Sequence, residues 1–156
     1  MSKRSILSMI NIQSINGCLI VPVTSEVHDD YITLLQKAIL EKVKATHSKE
    51  VLIDVSAVKF LDSFTFAMLK ESAQMVSMLG AYVVFVGFQP GVASALIDLD
   101  VKFDDIFTAV TMEDGFELLE YQKSINIDDA DTIFDNTLTK EVDEQDPPNI
   151  KSSLTD

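Results

Sequence analysis

Residues 50–69 read EVLIDVSAVKFLDSFTFAML, and the change of character inside this stretch decides the fold. Its first half is a continuous run of Val, Leu and Ile ending in Asp54 and Ser56, the pattern of a buried strand in a parallel sheet covered on at least one face. Its second half sets Asp62 and Ser63 side by side in an otherwise apolar run, with no basic residue closer than Lys59 and Lys70. An unpaired carboxylate and hydroxyl inside a core strand or helix would cost stability. The pair therefore belongs at a chain reversal, where one element ends and the next begins. Beyond it, SFTFAMLKESAQMVSMLG resumes helical periodicity through Phe64, Ala67, Met68, Glu71, Met75 and Met78 and stops at Gly80. Ser63 falls where that helix should begin.

Working outward, MINIQSI and GCLIVPV are separated by Asn16 and Gly17 and read as a hairpin, since Asn-Gly supplies the positive φ angles of a type I′ turn. The next segment carries Ile32, Leu35, Ile39 and Val43 at helical spacing. Asp29 and Asp30 lie in its first turn, where carboxylates suit the positive end of the helix dipole. After residues 50–80, AYVVFVGF is a further buried strand, and QPGVASALIDLDV is a helix with Pro90 in its first turn. KFDDIFTAV reads as a short edge strand and TMEDGFELLEYQK as a last helix capped by Thr111. The order β, β, α, β, α, β, α, β, α specifies an α/β fold: a mostly parallel open sheet begun by an N-terminal hairpin, with about four helices.

At 156 residues the chain fits one domain and an extension; a domain of about 120 residues buries roughly two-thirds of the surface its unfolded chain exposes. The net charge of −13 is unevenly spread. Residues 1–123 hold 16 acidic and 10 basic side chains, residues 124–156 hold 9 and 2, and the latter are poor in apolar residues and broken by Pro147-Pro148. We expect a domain over 1–123 and a disordered acidic tail over 124–156, although Phe134, Leu138 and Val142 would share one face if the tail were helical. Binding to nucleic acid by charge is excluded, because Arg4 is the only arginine and no basic cluster exists to neutralise phosphates. The single cysteine, Cys18, rules out an internal disulfide or a cysteine-based metal cluster and suits a reducing compartment. Neither a secretion signal nor a membrane span is visible, so a soluble, cytoplasmic protein is expected.

His28 and His47 flank one helix and have no carboxylate or cysteine at ligand spacing, so they read as solvated helix ends. Gly17, Gly80, Gly87, Gly91 and Gly115 form neither GxGxxG nor a Walker loop, which removes the usual cradle for a nucleotide. With no nucleophile paired to a base and no metal cluster, enzymatic activity is not expected, and neither is a cofactor. There remain Asp54, Ser56, Asp62, Ser63 and Thr65. Asp and Ser are preferred helix caps, and such a cap stabilises by about 1 kcal/mol without any function. A serine at a helix start on the carboxyl edge of an open sheet is also placed to serve as a phosphoacceptor. Spacing alone leaves both readings open.

Residues 51–90, VLIDVSAVKFLDSFTFAMLKESAQMVSMLGAYVVFVGFQP, resemble the core of a STAS domain, the anti-sigma-factor-antagonist family. Its pattern is a hydrophobic strand ending in Asp, a Ser or Thr two residues on, then Asp-Ser opening a helix; Asp54, Ser56, Asp62 and Ser63 match in order and spacing. The resemblance runs from about Met9 to Tyr121 and, through GCLIVPV, DSF and GFQPGVASALIDLDV, is greatest to the RsbS-type scaffolds of stressosomes. It implies phosphorylation of Ser63 by a partner-switching serine kinase (RsbT-like) and reversal by a phosphatase, with Asp54, Ser56, Asp62, Phe64 and Thr65 forming the partner-binding surface around it. It also implies a large assembly with sensor-bearing STAS paralogues (RsbR-like) and self-association, without nucleic acid or membrane. A free anti-sigma antagonist and a STAS subunit regulating a transporter are the alternatives within the family. The acidic tail departs from the pattern, since such scaffolds end soon after the last helix.

Overall fold

The structure, a computed structural model, describes residues 2–127. The chain divides into two compact units, Met1–Glu120 and Tyr121–Asp156. The first contains α1 (Lys3–Met9), β1 (Gln13–Ile15), β2 (Cys18–Pro22), α2 (Asp29–Thr46), β3 (Glu50–Asp54), α3 (Ser63–Met78), β4 (Tyr82–Val86), α4 (Pro90–Asp98) and β5 (Phe107–Ala109), followed by a helix from residue 112, α5, described here to residue 120. In the second unit residues 121–127 are helical, so helical conformation passes the compositional change at Ser124. The rest of the acidic stretch, with Phe134, Leu138 and Val142, lies outside the described residues.

The five strands lie in the order β1-β2-β3-β4-β5. β1 runs antiparallel to β2, with Ile15 opposite Cys18 across the Asn16-Gly17 turn, and β2 to β5 are parallel. Asn16 and Gly17 both have positive φ, 52° and 84°, as the type I′ turn demands. Parallel strands taken up in sequential order need crossovers of one hand, and these fall on one face of the sheet. That face carries Leu19, Val21, Val51, Ile53, Val83 and Phe85 and is covered by α1 to α4 through residues such as Ile6, Leu35, Ile39, Phe66, Leu69 and Leu96. The opposite face, Cys18, Ile20, Leu52, Val84 and Val86, is left to α5, which packs Leu119 and Phe116 on it. Close approach of α5 depends on Gly115: a Cβ there would lie 2.6 Å from Val86 Cγ1 and 2.9 Å from Leu52 Cδ2.

Two features depart from the sequence reading. The first is α1, where a strand was expected to start at Met9. Ser2 caps it, its Oγ accepting from the Ser5 amide at 3.2 Å, and Ile6 is its buried residue. This leaves only Gln13–Ile15 for β1, all three exposed. The second is the orientation of α3. The helix starts and stops where expected, yet its buried residues are Thr65, Phe66, Leu69, Ser72, Ala73 and Val76. Phe64 and Met78, which mark the periodic run in the sequence, are 61% and 86% exposed. Polar side chains can take the inner face because their hydroxyls are satisfied locally, as in the Ser72 Oγ bond to the Met68 carbonyl at 2.9 Å.

Candidate functional site

The hydrogen-bond ladder of the sheet continues one residue past the strands. Val23 N donates to Asp54 O at 2.8 Å, Val55 N to Val86 O at 2.9 Å and Gly87 N to Ala109 O at 3.2 Å. The segments after β2, β3 and β4 are thereby fixed to their neighbours at the carboxyl edge, and the residues selected from the sequence stand on the longest of them, 55–62. At its start Asp54 is half-buried and accepts the Ser56 amide on Oδ1 at 3.0 Å, a local turn that Asp forms readily. Ser56 is exposed, and its carbonyl accepts from Gln89 Nε2 at 2.7 Å. Gly87 lies against it with φ +84°; a Cβ at that position would come within 2.8 Å of Ser56 Cβ. Val58 and Leu61 pin the middle of the segment into the core at 1% and 3% exposure, while Phe60 between them is 76% exposed.

At the far end, Asp62 is the N-cap of α3. Its backbone is extended, φ −85° and ψ 169°, and Oδ1 accepts from Thr65 N at 2.7 Å. The Thr65 amide, then the Thr65 hydroxyl, hold the Asp62 carboxyl below the usual carboxylate range, with a smaller lowering from the Phe64 amide against a modest desolvation. Thr65 itself is buried. Ser63 occupies the first helical position, exposed, and its hydroxyl has no hydrogen-bond partner among the described residues. Phe64 projects beside it into solvent. Below this turn Phe66 is fully buried and packs on Phe103 and Phe88, ring centroids 5.2 and 6.0 Å apart, which anchors the start of α3.

The geometry sorts the six residues into two sets. Asp62, Ser63, Phe64 and Thr65 form the first turn of α3; Asp54 and Ser56 form the turn after β3, tied to the start of α4 through Gln89. Gln89, Gly87 and Phe60 were not singled out from the sequence. GFQPG reads correctly as a strand-to-helix turn, but no spacing rule reveals a side chain that will reach a carbonyl 33 positions back. His28 and His47 cap the two ends of α2, both exposed. Among the described residues no group of His, Cys, Asp or Glu is arranged to hold a metal ion, and no helix is long and apolar enough to cross a membrane. A serine hydroxyl becomes a nucleophile through an adjacent base; Ser63 instead presents its oxygen to solvent next to a carboxylate already engaged in capping.

A family model for the STAS domain matches residues 9–136, most of the chain, and bears out the resemblance read from residues 51–90. The RsbT co-antagonist protein RsbRA of Bacillus subtilis is 20% identical over 98 residues, covering 63% of this chain and 36% of that protein. The chain thus spans about a third of the length of that relative. Among solved structures, a serine-to-glutamate variant of Moorella thermoacetica RsbS superposes with a TM-score of 0.64 at 22% identity, over 74% of this chain and 97% of that one. A chain from a structure describing the molecular architecture of the stressosome, a signal integration and transduction hub, gives 0.63 at 24% identity, over 72% and 98%.

Proposed function

The chain belongs to the STAS domain family, and from that premise we propose that it is a non-enzymatic scaffold of a bacterial stressosome, acting in the cytoplasm, which sequesters a partner-switching serine kinase (RsbT-like) and releases it when Ser63 is phosphorylated. One observation carries the reading: the Asp62 carboxylate caps α3, leaving the Ser63 hydroxyl exposed and without a hydrogen-bond partner among the described residues, at the carboxyl edge of the sheet. The likeness to RsbS and to a stressosome chain supports the scaffold role. RsbRA, by its name a co-antagonist of RsbT, supports sensor-bearing STAS paralogues of the RsbR type as neighbours in the assembly. A phosphatase would restore the serine, and copies of the chain would associate within the same assembly.

The switch follows from charge. A phosphate on Ser63 adds about −1.5 to −2 charges next to Asp62. The amino end of α3 favours an anion by about 0.3–1 kcal/mol, so the isolated domain tolerates it. A partner that buries this surface without matching cations does not: the desolvated charge costs several kcal/mol, and each 1.4 kcal/mol is about tenfold in affinity. Incubation with the cognate kinase and ATP, read by intact mass, is expected to add one phosphate to the parent and none to Ser63→Ala. Equal uptake by both proteins would move the acceptor elsewhere.

A further inference from the structure

α1 packs on α2 through one buried residue, Ile6. This packing leaves a cavity of about 230 Å³ between the two helices and the segment joining β2 to α2, lined by Ile6, Met9, Glu26, His28, Asp30 and Tyr31. The lining divides by chemistry. Ile6 and Tyr31 are buried and Met9 is half-buried, which gives an apolar wall, while Glu26, His28 and Asp30 are exposed. None of those three side chains has a hydrogen-bond or ion-pair partner among the described residues. His28 occupies the N-cap position of α2, yet its imidazole makes no capping bond. Tyr31 is 3% exposed, and its hydroxyl accepts from Thr24 N at 3.2 Å, but the hydroxyl proton has no acceptor among the described residues. Buried polar groups are ordinarily satisfied, so a spare donor on the wall of a cavity is one that a ligand can use.

These groups select the ligand. An uncapped helix start ordinarily draws an anion, but Asp29 and Asp30 stand in the first turn of α2 and Glu26 just before it. Lys3 lines an adjoining groove with Ile6, Asp30, Thr33 and Leu34 and pairs with neither Glu26 nor Asp30. An anion is therefore repelled and a cation attracted. Glu26 and Asp30 suit an ammonium, which reaches carboxylates through charge-assisted hydrogen bonds; the Tyr31 proton needs an acceptor, and the apolar wall a hydrocarbon body. Size follows from volume: a cavity of about 150 Å³ holds a benzene ring, so this one takes a ring with a short chain, roughly nine or ten non-hydrogen atoms. We propose that the cavity between α1 and α2 binds a small organic ammonium compound, an apolar amine carrying one hydroxyl. Its ammonium lies on Glu26 and Asp30, its hydroxyl oxygen accepts from Tyr31, and its apolar body rests against Ile6 and Met9. Such a ligand touches α1 and α2 at once, so it holds the short N-terminal helix in place and stabilises the folded chain by mass action. The site stands apart from the turn around Ser63 and does not rest on the reading given for it.

The probe is 2-amino-1-phenylethanol, titrated into the full-length, nitrogen-15-labelled chain and followed by amide chemical shifts. Saturable shifts centred on residues 6–9 and 24–31 are expected, with a rise in thermal midpoint. Three relatives of the probe change one group each: 1-phenylethanol lacks the ammonium, mandelate carries a carboxylate in its place, and 2-phenylethylamine lacks the hydroxyl. The first two should bind roughly tenfold more weakly or worse and the third roughly threefold more weakly. Joint replacement Glu26→Gln and Asp30→Asn should weaken the probe roughly tenfold, and Glu113→Gln, an exposed carboxylate on α5 at the other face of the sheet, should leave it within about twofold. Glu26→Gln alone, outside α2, should weaken it roughly threefold and keeps the comparison sound if the helix start needs Asp30. The proposal is overturned by an absence of saturable shifts at millimolar probe, by mandelate binding as tightly as the amine, or by undiminished binding to both Glu26 variants. Equal affinities for the probe and 2-phenylethylamine would overturn the contact with Tyr31.

Discussion

Gly87→Ala should be the most damaging single-methyl change near the site. Two costs combine at this position. The backbone sits at φ +84°, in the left-handed region where an L side chain costs about 1–2 kcal/mol. The new Cβ would also stand 2.8 Å from Ser56 Cβ and 3.2 Å from both Ser56 Cα and Ser56 N, and overpacking of that kind costs about 1–3 kcal/mol. The nearest atoms include backbone, so the clash cannot be relieved by rotating a flexible side chain; Ser56 has to retreat, straining its bonds to Gln89 at 2.7 Å and Asp54 at 3.0 Å. Together we expect a loss of about 2–5 kcal/mol, a large share of the roughly 5–15 kcal/mol typical of a domain. Urea unfolding followed by circular dichroism measures it. Ser56→Gly removes the closest contact but not the φ strain, so the double variant should recover about 1 kcal/mol relative to additivity. A Gly87→Ala protein within about 0.5 kcal/mol of the parent, or strictly additive changes in the pair, would refute the close approach of these two segments.

Three further outcomes follow. Asp62→Ala should destabilise by about 1 kcal/mol at pH 7 through loss of the cap; because the folded carboxyl titrates below its unfolded value, its contribution is complete above the ordinary carboxylate range and is lost as pH falls through the folded pKa, so the gap between parent and variant should narrow in acid, and a gap that widens there would contradict the sign. Ser63→Ala, at an exposed position without a hydrogen-bond partner among the described residues, should change stability by less than about 0.5 kcal/mol in chemical denaturation. Truncation after Lys123 should leave the thermal midpoint within a few degrees, as roughly expected for a segment with little core-forming periodicity; loss of soluble protein would show that residues beyond 123, whether the helical 124–127 or the stretch with Phe134, Leu138 and Val142, are needed by the domain.

Where local chemistry and tertiary packing agree, the sequence is readable. The four residues spaced as the inner face of α2, Ile32, Leu35, Ile39 and Val43, are all buried. Thr111 does cap α5, exchanging bonds with Asp114 through the Asp114 amide to Thr111 Oγ1 at 3.1 Å and the Thr111 hydroxyl to Asp114 Oδ2 at 2.8 Å. Agreement fails in two places for different reasons. α1 is seven residues long and too short to announce itself by periodicity; its local cap and the burial of Ile6 hold it. α3 carries two apolar stripes, and the outward one, with a Phe, an Ala and three Met, holds more apolar residues than the true inner stripe, which joins Phe66, Leu69, Ala73 and Val76 to the polar Thr65 and Ser72. Burial there follows shape and local hydroxyl bonding, which a count of apolar residues does not register.

The site shows the same division between what residue types can say and what only geometry can. Spacing placed Asp62 and Ser63 at a helix start but could not apportion the work between them, since either residue is a good cap. The order of the pair settles it. Asp62 comes first, so its carboxylate takes the Thr65 amide and Ser63 falls inside the helix, where its hydroxyl is not needed to satisfy an end group. Had the order been reversed, a serine at the cap would spend its oxygen on that amide, and any group attached to it would have to break the start of the helix or replace the cap. With Asp first, the helix start depends on a side chain that carries its charge at neutral pH, and the adjacent hydroxyl can change state without unmaking the fold. A surface switch has to meet this condition: the modified residue must matter to a partner more than to the domain that carries it.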